Sequence, residues 1–384
     1  MAYRPQIAVL VETSKTYGRG IIEGISQYVR SHRHWSIFIN ERGLDDPLPE
    51  WIEQRPTDGI LLRTSNATVF DAVKKLKIPT VSLGEIYDPH FPIVHTNDRR
   101  LAILAAQEFL HRGYKTIGFA GIQGTTWSDI RYQAIVNFLD QSIFHSCCDP
   151  SNAEGGLLDW PTHQAELTKW LQEIPKPVGI IAAYDVIGVR VLDVCNELGI
   201  AVPAEVAVIG IDDDQYLCEL ANPPLSSVAH SLQEIGYRAC SVLDQIMQGG
   251  AVPDEPILIE PQGVIARQSS DIFAIDDPLI AKAIQYIRDH ACDGINVNDV
   301  LKRFPLTRAT LTRRFEKYIG HSAKEEIMRL QMIRVKELLT ETDFNLEKIA
   351  KLSGYNHVEH MSTIFKTKNA ITPGKYRERS KTES

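Results

Sequence analysis

Residues 345–369 read NLEKIAKLSGYNHVEHMSTIFKTKN. The pattern predicts a short helix over 346–352, a tight turn over Ser353-Gly354-Tyr355, and a second helix over 357–368 behind Asn356. Leu346, Ile349 and Ala350 turn one face of the first helix inward, Ile364 and Phe365 do so in the second, and polar residues take the outer face. Gly354 supplies the left-handed backbone that ends a helix abruptly. Such a segment is either an ordinary pair of packed helices or a helix-turn-helix, whose second helix lies in the major groove of DNA.

The neighbouring sequence decides between these. Residues 297–318 repeat the arrangement: a helix over 297–303 with Val297, Val300 and Leu301 inward, a turn over Phe304-Pro305-Leu306, and a helix over 308–318 behind Thr307, with Leu311 and Phe315 inward. Ser322 and Glu325 form a capping box that opens a long helix to about residue 340, with Ile327, Leu330, Val335 and Leu338 mostly on one face. Upstream, Pro278 suits a first helical position and Ile280, Ala283, Ile284 and Ile287 form an apolar stripe. The 384-residue chain has 41 Lys and Arg against 49 Asp and Glu, a net charge of -8, which excludes a protein that is basic all over. From Pro278 onward the count is 20 against 13, a net of +7, which leaves −15 on the preceding residues. An acidic body with a basic tail is expected where one domain meets a polyanion and another does not.

From Pro278 to about Arg379 the tail resembles the AraC-type DNA-binding domain. The residues that carry the resemblance are Leu338-Leu339 before Thr342-Asp343, then Ile349-Ala350, Gly354-Tyr355, Phe365-Lys366, Thr372-Pro373 and Tyr376-Arg377. His360-Met361, Asn369-Ala370, Gln331 and Val335 depart from the common pattern, mostly at packing positions. The resemblance places Arg313 where the first recognition helix reaches bases, flanked by Ala309 and Thr310. An Arg there can give two hydrogen bonds to guanine O6 and N7. Val358, Glu359 and Thr363 take the matching face of the second helix, where Glu359 suits cytosine N4 and Val358 or Thr363 a thymine methyl. Arg308, Arg314, Lys317, His357, Lys366 and Lys368 are expected to meet phosphate or to solvate a face.

Before the tail, apolar runs rich in Val and Ile (residues 7–11, 36–40, 59–62, 79–83, 93–95, 116–120, 179–182 and 206–210) alternate with helical stretches (20–31, 48–54, 67–76, 99–112, 128–141 and 185–198). Strands without polar alternation are buried on both faces, as in parallel sheets. About 270 residues exceed what one sheet usually needs, so the expected fold is α/β in two lobes, followed by an all-α double helix-turn-helix domain. Gly18, Gly20 and Gly24 invite a nicotinamide-enzyme reading. G-x-G-x-x-G, however, would put its third glycine at 23, which is Glu23. G-x-S-x-G, Walker A and H-E-x-x-H are absent, so no catalytic residues, metal or cofactor are expected. Six cysteines without C-x-x-C spacing suggest a reducing compartment. With no signal peptide and no long apolar run, a cytoplasmic protein without membrane contact is expected.

Residues 5–268 resemble the periplasmic-binding-protein-like sensor of the LacI family. The matching pieces include Tyr17-Gly18-Arg19-Gly20, Asn97-Asp98, Ile117-Gly118-Phe119-Ala120-Gly121, Arg131, Asp185, the run from Val202 to Asp213, and Pro224-Leu225-Ser226-Ser227-Val228. Joined to an AraC-type tail, this resembles the bacterial xylose operon regulators, with Lys15-Thr16-Tyr17 and Ile287-Arg288 among the shared residues. The resemblance implies a cleft in which Asp212, Asp185, Arg131, Trp127, and Tyr17 with Arg19 in the first strand-to-helix loop, converge on a monosaccharide. Carboxylates and Arg hold paired hydroxyls while an aromatic face meets the sugar's C–H surface. Asp98 is expected chiefly as an N-cap and stands as a marginal candidate for the cleft. The expected protein is a sugar-responsive regulator and an activator, with D-xylose as effector, operator DNA and RNA polymerase as partners, and a homodimer formed through the sensor. A repressor, or a response to another pentose or hexose, is the alternative. The expected division is 1–270 sensor, 271–277 linker and 278–384 DNA-binding domain.

Overall fold

The structure is a computed structural model that describes residues 3–32, 35–84, 90–122, 124–149, 160–271 and 277–383. Residues 272–276, most of the expected linker, lie outside the described residues.

In the first lobe, β1 (Gln6–Leu10), β2 (Ser36–Ile39), β3 (Gly59–Leu62) and β4 (Thr80–Ser82) form a parallel sheet in the order β2-β1-β3-β4. Successive β1 side chains point to opposite faces and both faces are covered, which is why its sequence lacks polar alternation. Ile7 and Val9 pack with Ile21 and Ile25 of α1 (Thr16–Ser31) and with Ile235, Ala239 and Leu243 of α9 (Leu232–Met247). Ala8 and Leu10 pack with Ile52 of α2 (Trp51–Gln54) and Val69, Phe70 and Val73 of α3 (Ala67–Leu76). A small parallel pair, β5 (Val94–Thr96) with β11 (Ile257–Ile259), completes the lobe.

Among the described residues the second lobe has six strands: β6 (Ile117–Ile122), β7 (Phe144–Asp149), β8 (Val178–Ala182), β9 (Val206–Asp212), β10 (Ser226–Ala229) and β12 (Gly263–Ile265), ordered β12-β10-β9-β8-β6-β7. Around them pack α4 (Asp98–His111), α5 (Thr126–Phe138), α6 (Trp160–Glu173), α7 (Asp185–Glu197) and α8 (Gln215–Leu220). The sheet is not wholly parallel as expected, because β12 runs antiparallel to β10. The chain leaves this lobe after β10 and re-enters before β12, so the two strands run through one hinge in opposite directions. The lobes are joined at three places: Asn97, residues 230–231 and residues 260–262. These crossings are bonded together, Asn97 N–H to Ile259 O (2.9 Å), Asn97 Nδ2 to Glu260 Oε1 (2.8 Å) and Ser231 Oγ to Glu260 O (2.7 Å).

The N-terminal glycines serve packing. A Cβ on Gly24 would sit 2.0 Å from Gln233 O and one on Gly236 2.0 Å from Ile21 O, so the two helices touch backbone to backbone. α1 also begins at Thr16, earlier than the expected residue 20, which puts Tyr17 and Arg19 in its first turn and not in a loop.

The tail is α10 (Pro278–His290), a 3₁₀ turn (Ala291–Asp293), α11 (Val297–Arg303), α12 (Arg308–Ile319), α13 (Ala323–Glu341), α14 (Leu346–Leu352), α15 (Val358–Asn369) and α16 (Pro373–Glu383). Its side-chain caps are Asp277, Asn296, Thr307, Ser322 and Asn345. Two separate cores share α13. Ile327 and Leu330 pack with Ile284, Val300, Leu311 and Phe315, while Val335, Leu338 and Leu339 pack with Ile349, Met361 and Phe365. In α15 the inward pair is Met361 and Phe365, one turn apart, and Ile364 is only partly buried. Gly354 has φ 78°, and buried Gln331 donates from Nε2 to Gly354 O (3.3 Å) and Ala291 O (2.9 Å), tying the second turn to the first core.

Candidate functional site

Strand carboxyl ends are where open α/β sheets bind ligands. Here the chain just past the ends of β1 and β3 delivers Glu12 and Arg63, the middle of β5 delivers His95, and the first turn of α1 delivers Tyr17. From the second lobe come Trp127 and Arg131 of α5, Tyr184 before α7 and Asp212 ending β9. With Lys15 and Leu44 they line a cleft of about 130 Å³. That is well below the ~300–1,000 Å³ typical of pockets for drug-sized ligands, so it suits a small occupant. Larger grooves of about 570 and 520 Å³ lie within the tail and between tail and body. They lack the cleft's buried charges.

The buried charges are paired. Glu12, fully buried, bonds Arg63, whose guanidinium lies 4.3 Å from the centre of the Tyr17 ring. Arg131 donates to Asp98 Oδ1 from Nε (2.9 Å) and Nη2 (2.7 Å) and to Ala183 O (2.6 Å), and stacks at 4.9 Å over Trp127. His230 bridges Thr96 Oγ1 (3.0 Å) and Asp212 Oδ1 (2.9 Å). His95 Nδ1 faces two acceptors, Thr96 O at 3.2 Å and Asp98 Oδ2 at 3.5 Å, so it carries the proton and Nε2 is left as an acceptor. Burial pushes the His95 pKa down to about 4 against the pull of Asp98, so the ring is neutral near pH 7. Among the described residues, the buried atoms Glu12 Oε2, Tyr17 Oη and His95 Nε2 on the cleft lining have no hydrogen-bond partner.

Of the residues anticipated here, Tyr17, Trp127, Arg131 and Asp212 line one cleft. Arg19 does not join them. It is exposed, with Nη1 3.4 Å from Thr13 O, because residues two apart on a helix point to different sides. Asp185 is behind the cleft wall. Its oxygens accept from Asp214 N–H (2.7 Å) and Ser227 Oγ (2.6 Å), and burial, then the neighbouring Asp212, pushes its carboxyl well above the usual range. It braces a turn in which Asp212 and Asp213 both have positive φ, 122° and 52°. Glu12, Arg63 and His95 were missed. Glu12 and Arg63 each follow an apolar strand directly, and that was the available signal.

In the tail, Arg308, Ala309, Arg313 and Lys317 are exposed on α12, and Thr310 is partly so. On α15, Glu359, Thr363 and Lys366 are exposed at helical spacing, with His357 just ahead of them. Arg314 faces the other way and bonds Asp277 Oδ2 at 2.5 Å, so it braces the entry to the tail and not a phosphate. Val358 packs partly against the second core, which removes it from the outer face. Arg308 also bonds Asn298 Oδ1 (2.6 Å).

Residues 6–98 match the XylR N-terminal domain, residues 106–270 the periplasmic binding protein-like domain, and residues 300–379 the helix-turn-helix domain. The chain is 31% identical to the xylose operon regulatory protein of Haemophilus influenzae, covering 97% of this chain and 98% of that one. It is 30% identical to the Escherichia coli K12 protein of the same name, covering 98% and 97%. The chain belongs to the family of xylose operon regulatory proteins. A solved structure described as the xylose-binding transcription activator xylR superposes with a TM-score of 0.82 at 28% identity, over 98% of each chain. A LacI-type regulator from Alkaliphilus metalliredigens, solved with D-xylulofuranose, shares the body's fold alone: TM-score 0.53 at 16% identity, over 69% of this chain and 98% of that one. The two-lobed sensor with an AraC-type tail stands as expected, and the protein is a DNA-binding regulator of transcription. Among the described residues no helix is long and apolar enough to cross a membrane.

Proposed function

We propose that this protein activates a carbohydrate catabolic operon in response to D-xylose, which occupies the cleft between the lobes while the tail holds operator DNA. One observation carries the sensor half: around one small cleft Glu12 Oε2, Tyr17 Oη and His95 Nε2 are buried without partners among the described residues. A buried polar atom left unsatisfied costs about 1–3 kcal/mol, and ligand hydroxyls would remove that cost. Glu12 and His95 can only accept, and a polyol donates. Glu12 and Asp98 already have Arg63 and Arg131, so an uncharged ligand suits the site better than an acid or a phosphate. Trp127 and Tyr17 offer aromatic faces for sugar C–H groups. The names of the relatives support D-xylose among neutral sugars.

The mechanism is a population shift: sugar bridging both lobes favours closure about the three crossings, and closure changes how the tail is held. Tyr17, Trp127, Arg131 and Asp212 remain the sugar contacts, joined by Glu12, Arg63 and His95. Arg308, Ala309, Thr310, Arg313, Lys317, His357, Glu359, Thr363 and Lys366 remain the DNA contacts. Residues 1–270 act as sensor and dimer-forming domain, 271–277 as linker and 278–384 as reader. The protein works in the cytoplasm as a homodimer that engages RNA polymerase, and it has no enzymatic role. Backbone contact at Gly24 supports packing over nucleotide binding for the N-terminal glycines. Calorimetry with D-xylose, L-arabinose, D-ribose and D-glucose tests the sensor, with D-xylose expected to bind tightest. Another sugar binding tightest would favour the alternative pentose or hexose reading, and no binding would remove the sensor role. Transcription from the target promoter should rise with sugar, and a fall would make the protein a repressor.

A further inference from the structure

The turn that ends β9 touches both the cleft and the path to the tail. Asp212 lines the cleft, and Thr16 Oγ1 of the first lobe reaches across to Asp214 Oδ2 at 2.9 Å. Between them Asp213 holds Arg267, Nη1 to Oδ1 at 2.8 Å. Positive φ at two successive non-glycine residues is a conformation that the surroundings must impose, so this turn is an element that can relax.

From Arg267 the chain runs as a pinned strip. Arg267 N–H donates to Ser226 Oγ (2.7 Å), and Ser226 N–H donates to Ser269 Oγ (2.8 Å). Ser269 N–H donates to Pro224 O (3.0 Å), its hydroxyl donates to Val208 O (2.6 Å), and both Ser269 and Ser270 are fully buried. The tail holds the strip beside Arg267 and at its far end. Arg288 of α10, its side chain only 3% exposed, donates to Gln268 O (3.1 Å) and Asp271 O (3.2 Å). Its Nε lies 3.9 Å from Oε1 of Glu326 on α13, which is also buried. Arg329 grips Glu326 with two bonds (2.7 and 2.9 Å) and reaches Asp271 Oδ2 at 3.3 Å. α13 is the helix that both tail cores share. The apolar part of the seam is small, Ala201 and Ala204 against the cluster around Ile280, Ile284 and Ile287. Apolar contact is non-directional, so the polar bonds fix how the tail sits.

We infer that Arg267 and Arg288 are positioning residues that carry the state of the cleft to the DNA reader, Arg267 at the cleft end of the 267–271 strip and Arg288 at the tail end. The inference rests on the sugar-sensing reading above. Sugar on Asp212 and closure through Thr16–Asp214 bias the 212–214 turn; Arg267 follows Asp213, and Arg288 passes the displacement of the strip to α10 and, through Glu326, to α13.

The test uses the full chain and its Arg267→Gln and Arg288→Lys variants, with a fluorescent duplex selected from random sequence by the wild-type protein. D-xylose affinity is measured without DNA, and duplex affinity with and without D-xylose. Couplings between sites typically change affinity by about 5–150-fold. In each variant the ratio of duplex affinities with and without D-xylose should fall to within about twofold of one, while the D-xylose affinity without DNA and the duplex affinity without D-xylose should each stay within about threefold of wild type. The double variant should lose no more coupling than either single one, a result that independent structural damage would not give. Arg288→Lys keeps the charge beside Glu326 but cannot reach both carbonyls, and Arg267→Gln removes a side chain whose partners, Asp213 and Leu225, lie in the body, so a folding defect at one site leaves the other to decide. A wild-type ratio retained in both variants would overturn the route while leaving the sensor reading intact. A wild-type protein that binds no D-xylose would overturn both.

Discussion

Asp98 and Arg131 form a buried pair across the start of the second lobe, with Nη2 2.7 Å from Oδ1 and each side chain 4% exposed. Asp98 follows the first crossing directly, so the pair ties a cleft residue to the hinge itself. Arg131→Ala strands a buried carboxylate, and the cost of breaking such a pair by removing one partner is about 3–5 kcal/mol. The variant should therefore lose stability by roughly that amount as well as losing D-xylose binding. Chemical denaturation alongside calorimetry checks both. A variant as stable as wild type would mean that Asp98 finds another partner.

Tyr17→Phe separates ligand from scaffold. The Tyr17 hydroxyl is buried without a hydrogen-bond partner among the described residues, so its removal takes away an unsatisfied group and should leave stability unchanged or raised. The ring keeps its place beside Arg63. D-xylose affinity should fall by about threefold to tenfold, the value of one neutral hydrogen bond of ~0.5–1.5 kcal/mol. An affinity equal to wild type would show that the hydroxyl does not meet the sugar.

His95 sets an acid limit. Its folded pKa is depressed to about 4 from an ordinary 6.5, with Asp98, Arg63 and His230 as the charged or titratable groups that act on it. A depressed value means that the folded state binds fewer protons than the unfolded chain between those limits. The contribution is whole above pH 6.5 and is lost as pH falls to about 4, roughly 3 kcal/mol at 1.36 kcal/mol per unit. Protonation also turns Nε2 from acceptor to donor. D-xylose affinity should hold from pH 7 to about 5 and then drop, and His95→Gln should lack the step. A midpoint near 6.5 in the wild type would place the ring in water. Glu326 acts lower: burial raises its pKa, but the bonds from Arg329 and His321 prevail and hold it at about 2.

The fold was legible wherever a local pattern determines structure. α11 and α14 occupy the residues expected of them, because caps, inward triplets and Gly354 are all written within a few positions. α9 was not anticipated, and its role is explained by Gly236, which only makes sense opposite α1. The cleft divides the same way. Asp212 and Arg131 stand in recognisable runs, whereas Glu12, Arg63 and His95 meet only because β5 and the ends of β1 and β3 converge. Asp185 and Arg314 have residue types suited to a ligand or a phosphate, but neighbours distant in sequence, Ser227 and Asp277, already occupy them.

The two recognition helices present different chemistry to DNA. Arg313 is exposed between Ala309 and Lys317 on the outer face of α12, and no ion pair or side-chain hydrogen bond to it is seen among the described residues. Lys366 is exposed in the last turn of α15. Arg313→Ala should cost about 1–3 kcal/mol and relax preference at one base position, since a two-pronged contact to guanine is lost. Lys366→Ala should weaken all sequences about equally and reduce the salt slope by about one, as expected for a single phosphate contact. Each change removes one positive charge, so charge alone cannot explain a difference between them. Arg314→Ala adds a control: it should cost stability at the Asp277 cap and leave base preference untouched. Selection on randomised half-sites at two salt concentrations, run with all three variants, reads the contrast directly. If Arg313→Ala lowered affinity evenly across sequences, Arg313 would be a backbone clamp and the outer face of α12 would not be the reading face.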